Sequence, residues 1–394
     1  MDRTHLMQKR LSFCLVIVFV YFVLHKIPLN GLDMTYYNSV NMDLSTILAS
    51  SVNGSNRECT VMALGISPYI TASLIVSIIM VFRSKESKSH SSPMLQNKII
   101  ILSSFCLTLF EAINLSFDLH YVDANLMSHL LCIFELIAGA SFSQYLLMLN
   151  KKYGLGNMLP IIFINVSESL WYSLEGASFE QLGVPLIIGI LAAMFMVFLE
   201  LSEKRIPLQR VSVHNEYSEK DYLAIKYNPV GFMSIMLASM LFMIPRWICQ
   251  FFFYFNQSNQ RLKWLIENLS MQKPFGLIIY VLILFLLTIT LSFLFVSPKE
   301  ISENLLQGGD SIVDIPAGKR TQNYLRKWVF LLSGLSALIV CGFLGISLYL
   351  QYQGLVGAKL AMVPSTMMLS TGLFISLFME LKAYHDFDSY QRFI

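Results

Sequence analysis

Apolar runs of about the length that crosses a bilayer recur along the whole chain, each bounded by charges, Pro or Gly, and ten are predicted to be spanning helices. They run Leu11–Leu24, Val61–Phe82, Ile99–Leu119, Leu126–Leu149, Met158–Leu174, Leu182–Leu201, Val230–Phe255, Phe275–Val296, Val329–Leu350 and Leu360–Leu381. The fifth is the weakest, because it carries Asn165, Ser167 and Glu168. The first follows a basic segment, Met1–Arg10, as the apolar part of a signal peptide does. His25-Lys26-Ile27-Pro28 follows it in place of a small-x-small cleavage site, so an uncleaved first span is expected.

Three connections are too long for simple turns: 28–60, 202–228 and 297–328. The last two are polar, mixed in charge and similar in length, and are expected to form one projecting surface for a partner. Within the first, Asp43 can cap a short helix over Asn41–Ser50 that places Leu44, Ile47 and Leu48 on one face. This segment reads either as a surface amphipathic helix or as one folding back into a cavity between the spans. Asn53-Gly54 supplies a turn before the second span. Ten spans divide into five and five, and a faint echo accompanies the division. Gly65 precedes Ala72-Ser73 in the second span, and Gly231 precedes Ala238-Ser239 at the same offset in the seventh.

Composition fits this pattern. Of 394 residues, 55% are hydrophobic and 13% charged, with mean hydropathy +0.59, more apolar content than a water-soluble core uses. An arrangement with the N terminus inside puts all but seven of the 28 Lys and Arg residues on the inner side. The exceptions are Lys26, Arg57, Arg246, Arg261, Lys263, Lys273 and Lys359, and four of these cluster at or beyond the end of the seventh span. The net charge of +3 therefore reports topology, anionic lipid or an acidic partner before nucleic acid. Five of the six cysteines (Cys14, Cys106, Cys132, Cys249 and Cys341) fall inside spans, where they read as small apolar packing and imply neither disulfides nor a metal site.

His-Glu-x-x-His, Gly-x-Ser-x-Gly and clustered Cys/His ligands are absent from the sequence. Gly318-Lys319-Arg320-Thr321 resembles the end of a phosphate loop only superficially, since Arg follows the Lys and the upstream glycine is missing. No catalytic, cofactor-binding or metal-ligating residue is assigned, and the chain is not expected to be an enzyme. Glu111, Glu135 and Glu168 lie in or near spans, where a carboxylate is costly enough to be a functional candidate. They assign no proton relay, and a secondary transporter with broken helices and an inverted-repeat fold is the rival class.

The second span opens Ala63-Leu-Gly-Ile-Ser-Pro-Tyr-Ile-Thr-Ala-Ser73, which resembles the same segment of SecY, the central subunit of the Sec translocon. Four further segments are similar to SecY in order along the chain: Lys152-Tyr-Gly-Leu-Gly-Asn157, Glu203-Lys-Arg-Ile-Pro-Leu-Gln209, Asn228-Pro-Val-Gly231 with Pro245, and Ser297-Pro-Lys-Glu-Ile-Ser-Glu-Asn-Leu305 leading to Gly318–Leu325. The resemblance implies an all-α membrane fold of ten helices in two pseudo-symmetric halves, 1–175 and 176–394. It also implies a pore for unfolded polypeptide, closed by an apolar waist that excludes water and ions.

Carried over residue by residue, the waist falls on Ile66, Ile70, Leu159, Phe163, Met236 and Leu373, with Met158 and Ile162 as the alternative register in the fifth span. The plug of the family corresponds to 41–52, with Asp43, Leu44, Ile47 and Leu48. A lateral gate to lipid is implied between the second and seventh spans, at Gly65, Pro68, Ser73, Gly231 and Ser239. Arg205, Arg210, Lys319 and Arg320 are expected to help dock a SecA-like motor ATPase. Small SecE- or SecG-like or accessory membrane subunits, the translocating polypeptide and membrane lipid are the other expected partners. Pro316 stands where SecY sequences carry an arginine, the loops are trimmed, and the waist is rich in Met and aromatic residues. Those departures resemble the accessory Sec paralogues of Gram-positive bacteria, which export serine-rich glycoproteins. A bacterial plasma membrane with both termini cytoplasmic is the expected location, and a general housekeeping SecY is the alternative.

Overall fold

The computed structural model describes residues 6–32, 60–82, 93–119, 121–122, 125–209, 221–255, 259–271 and 273–390. The expected plug, 41–52 with Asp43, Leu44, Ile47 and Leu48, lies outside the described residues, as does Arg210. Helices α1 Leu6–Leu24, α2 Ser67–Phe82, α3 Pro93–Asp118, α4 Leu126–Tyr153, α5 Leu159–Leu174 and α6 Phe179–Leu201 come first. Strands β1 Glu203–Gln209 and β2 Tyr222–Lys226 follow, then α7 Met233–Phe255, α8 Gln260–Asn268, α9 Pro274–Val296 and α10 Pro298–Gly308. Strand β3 Ser311–Ile312, α11 Lys319–Tyr352, a 3-10 turn Leu360–Met362 and α12 Val363–Tyr390 complete the chain.

Eight of the described helices are long and apolar enough to cross a membrane. Helices α2 and α5, each 16 residues, are apolar but shorter and bring the set to the expected ten. Large side chains such as Phe19, Met194, Ile278 and Leu338 are exposed around the outside of the bundle, which in a bilayer means facing lipid. Buried hydroxyls inside the helices are satisfied locally. Ser143 donates to the Gly139 carbonyl, Thr288 to Leu284 and Ser292 to Thr288, so small polar residues let helices pack closely without orphaned groups.

Prolines mark several boundaries, because the first turn of a helix needs no N–H from them. Pro274 opens α9 and Pro298 opens α10, whereas Pro185 and Pro245 sit inside α6 and α7. Gly309, in the left-handed region at φ 72°, ends α10.

The helices pack as two groups. α2 lies on α3, α3 on α4, and α1 on α4 and α5, while α6 lies on α12 and α11, and α9 on α7 and α11. The groups meet where α12 packs on α5 and α1, and where α7 packs on α2 and α3. The largest buried apolar cluster fills this junction.

Two expected loops are more ordered than the sequence suggested. The segment after α6 is a hairpin in which Arg205 pairs with Ala224, and β3, from the segment after α9, adds to it through Leu208 and Ile312 to give the order β2-β1-β3. Ile206, Ile225 and Ile312 from the sheet, with Leu325, Val329 and Leu332 from α11, form a separate small core beneath it. α11 also starts ten residues before the ninth apolar run, because amphipathic residues 319–328 continue the helix past the apolar stretch.

Candidate functional site

Two glycines set the geometry where the helix groups meet. Gly65 (φ 49°) and Gly231 (φ 62°) are both in the left-handed region, each two residues before its helix, α2 or α7. At both places the incoming chain turns sharply into a helix that crosses the junction. The matching Ala72 and Ala238 are buried, and Ser73 and Ser239 return their hydroxyls to the carbonyls of Ile70 and Ile235. The sequence echo thus corresponds to one repeated local conformation.

Helices α2 and α7 touch directly. The Thr71 hydroxyl, which donates to the Ser67 carbonyl at 2.8 Å, also lies 3.3 Å from Met240 Sδ. Ser239 lies 3.4 Å from the Tyr280 hydroxyl, tying α7 to α9 behind the contact. Pro68 is buried in the first turn of α2. The expected gate residues therefore lie at or beside one interhelix seam.

The expected waist residues converge on the junction cluster. Ile66, Ile70, Met236 and Leu373, from α2, α7 and α12 and the turn leading into α2, expose 0%, 1%, 2% and 0% of their surface, which leaves no solvent path along their side chains. Leu159 and Phe163 of α5 are half-buried and pack against the same cluster. Of the alternative pair, Ile162 is fully buried on α5 and Met158, just before the helix, is half-buried, so both registers face the cluster. Met62, Met196, Met240, Met271, Met362 and Met368 also belong to it. Thioether chains are flexible enough to reshape around a gap.

The span carboxylates separate into two kinds. Glu135 accepts from the Asn30 backbone N–H (3.1 Å) and side-chain amide (2.6 Å), and Glu168 accepts from Lys26 (3.1 Å) with His25 Nε2 at 3.4 Å. These pairs join the end of α1 to α4 and α5, as does the Tyr21 hydroxyl, which donates to Asn165 at 3.1 Å. Glu111 is buried in α3 with an oxygen that finds no partner. Glu200, in the last turn of α6, is a buried carboxylate that the apolar-run reading passed over. Its signal was an acid in the last turn of a helix whose preceding turns, from Leu182 on, are apolar.

Of the expected docking residues, Arg205 is exposed on β1, where its Nε donates to Glu203 (2.7 Å) and its guanidinium lies over the Tyr222 ring at 4.7 Å. Lys319 and Arg320 are exposed in the first turn of α11 rather than in a loop. The β1–β3 pairing holds their segments together. Pro316 accepts from the Thr321 hydroxyl at 3.0 Å, so its carbonyl anchors the entry to α11. Among the described residues, no group of three or more His, Cys, Asp or Glu side chains could hold a metal ion.

A SecY family model matches residues 60–380, most of the chain and all of the expected waist and gate residues. The chain belongs to the SecY family. Among curated proteins it is 26% identical to the accessory Sec system protein translocase subunit SecY2 of Streptococcus sanguinis, covering 98% of each chain. It is 25% identical to the protein of that name from Streptococcus gordonii, covering 94% of each. Among solved structures it matches one titled the structure of a protein conducting channel (TM-score 0.68, 17% identity, 96% of this chain and 92% of that one). It also matches Sec61 in the canine ribosome-channel complex from the endoplasmic reticulum (TM-score 0.65, 16% identity, 96% and 92%). The all-α, SecY-like membrane fold is therefore shown by both family and architecture.

Proposed function

We propose that this SecY-family chain is the pore-forming subunit of a specialised, accessory-type export channel in a bacterial plasma membrane, with both termini cytoplasmic. Unfolded polypeptide, serine-rich glycoproteins among its clients, passes between the halves 1–175 and 176–394. The observation that carries this reading is the apolar girdle where α2, α5, α7 and α12 meet. Its innermost side chains are packed out of solvent and come from separate helices. Apolar side chains repel water and ions when closed yet make no fixed bonds to a passing chain, so they seal without gripping. Leu159 and Phe163, half-buried at the rim, complete the ring. The segment 41–52 is assigned as the stopper, and the α2–α7 seam as the exit to lipid.

The sheet and the start of α11 supply a docking platform for a SecA-like ATPase through Arg205, Lys319 and Arg320, with Arg210 on the connecting segment. Small SecE- or SecG-like subunits cover part of the lipid-facing surface. The similarity to accessory SecY2 proteins over almost the whole chain and Pro316 in place of the loop arginine favour specialisation over a housekeeping role. The transporter alternative loses support, because Glu135 and Glu168 are held in hydrogen bonds and ion pairs between helices.

Crosslinking tests the reading. Cysteine at Ile70 is expected to capture a stalled translocating polypeptide, and cysteine at the lipid-facing Leu338 is not. Equal capture at both positions, or none at Ile70, overturns it.

A further inference from the structure

Glu200 is 5% exposed in the final turn of α6, yet its Oε1 has no hydrogen-bond partner. The carboxylate lies beside Phe232, immediately before α7. That free oxygen sits where side chains are missing. A Cβ on Gly231 would lie 2.7 Å from it, and one on Gly372 of α12 would lie 2.8 Å away.

Around the carboxylate, the end of α6 and the start of α7 are laced together. Tyr227 N–H donates to the Ser202 carbonyl (3.0 Å), Asn228 N–H to Leu199 (3.2 Å), and Gly231 N–H to the Asn228 side chain (3.1 Å). The first N–H groups of a helix have no partners within it and carry the positive end of its dipole, so an anion there is favoured. Lys226 of β2 adds a nearby cation. Against this stands the cost of burying a carboxylate with an unsatisfied oxygen.

We infer that Glu200 is a positioning residue that latches the N-terminal end of α7 to α6 and α12 when the gate is closed. The inference rests on the channel reading given above. Two glycines let three backbones close around the carboxylate, so the latch holds α7 at one end while its middle, at Met240, meets α2. The unpartnered oxygen keeps the latch weak enough to part when α7 swings away. The same carboxylate joins the base of the β1–β2 hairpin to the gate helix, so a load on the hairpin reaches α7 through it.

The test uses the full chain in liposomes, with its six native cysteines replaced and one cysteine placed at each of Thr71 and Met240. Disulfide formation across the α2–α7 seam then reports closure without any polypeptide. Glu200→Ala is expected to slow it by about fivefold, the worth of a lost charged cap. Glu200→Gln, which keeps the shape and an acceptor oxygen in the same place, is expected to return it to within about twofold of the parent. Glu200→Asp, which draws the carboxylate back by one methylene, serves where Glu200→Ala does not fold and is expected to act in the same direction. A parental rate in either destabilising variant, with an unchanged melting temperature, overturns the latch. Failure of Ile70 to capture polypeptide overturns the channel reading instead, so the two outcomes are separable.

Discussion

Gly139 of α4 faces the strand of backbone that leads into α2, and replacing it by alanine perturbs the seal from outside the waist. A Cβ there would lie 1.9 Å from the Val61 carbonyl oxygen and 2.7 Å from its carbon. Ordinary contact begins near 3.4 Å, so helix and segment must separate by about 1.5 Å in an interior packed as densely as a crystal. The segment cannot simply retreat. Val61 N–H donates to the Ile27 carbonyl at 3.0 Å, and Thr60 bridges to Pro28 on the other side.

Overpacking of this kind costs about 1–3 kcal/mol. Alanine offsets about 1 kcal/mol of that through its better helix propensity. A net loss of up to about 2 kcal/mol is expected, spread over the turn 61–66 that delivers Ile66 to the waist. A radial gap of 0.5–1 Å at Ile66 already forfeits about a quarter to a half of its dispersion contacts. Gly139→Ala is therefore expected to lower the melting temperature and to raise ion leak through the resting channel in liposomes. Gly183→Ala on α6, where a Cβ meets nothing within 4 Å, is the control and should leave both unchanged or the protein slightly more stable. A tight, normally melting Gly139→Ala channel would refute the claim that this backbone approach sets the position of the waist.

Asparagine at Ile66 or Ile70 is expected to increase resting ion leak several-fold, measured as dye or ion flux, by giving water partners inside the girdle; a tight seal in both variants counts against a hydrophobic barrier. Reversing charge at Arg205, Lys319 and Arg320 together is expected to weaken binding of the motor ATPase at low salt by tenfold or more, read by surface plasmon resonance, with salt shrinking the difference. Tyr21→Phe removes the hydroxyl that Asn165 accepts and leaves that amide oxygen buried, so a loss of about 1 kcal/mol in unfolding stability is expected.

The apolar runs disclosed the spans because lipid demands continuous apolar surface, and Leu159–Leu174 is recovered to within a residue of the fifth run. Boundaries went astray where a helix leaves the bilayer. Residues 93–98 and 319–328 are polar enough to read as loop, yet they continue α3 and α11, because helix hydrogen bonding does not stop at the headgroups. The small sheet was hidden for another reason. β1 and β3 are separated by more than 100 residues, and their alternation is too short to show. At the site, Gly65 and Gly231 were legible as an echo, but their shared left-handed turn was not. Glu200 escaped notice because its meaning depends on Gly231, Phe232 and Gly372, which no local pattern links to it. The plug and Arg210 fall outside the described residues.

The 16-residue length of α5 bears on what a client experiences. At 1.5 Å per residue it covers about 24 Å, less than the ~30 Å of a hydrocarbon core. It borders the girdle, so the dry barrier on that side is shallower than the membrane around it. An extended chain advances about 3.3 Å per residue, and only a handful of its residues need shed their water at any instant. In the proposed channel, the work of transit is thereby divided into small, nearly equal instalments that depend little on sequence. A motor moving a polar, serine-rich client would meet a succession of low hurdles in place of one high wall.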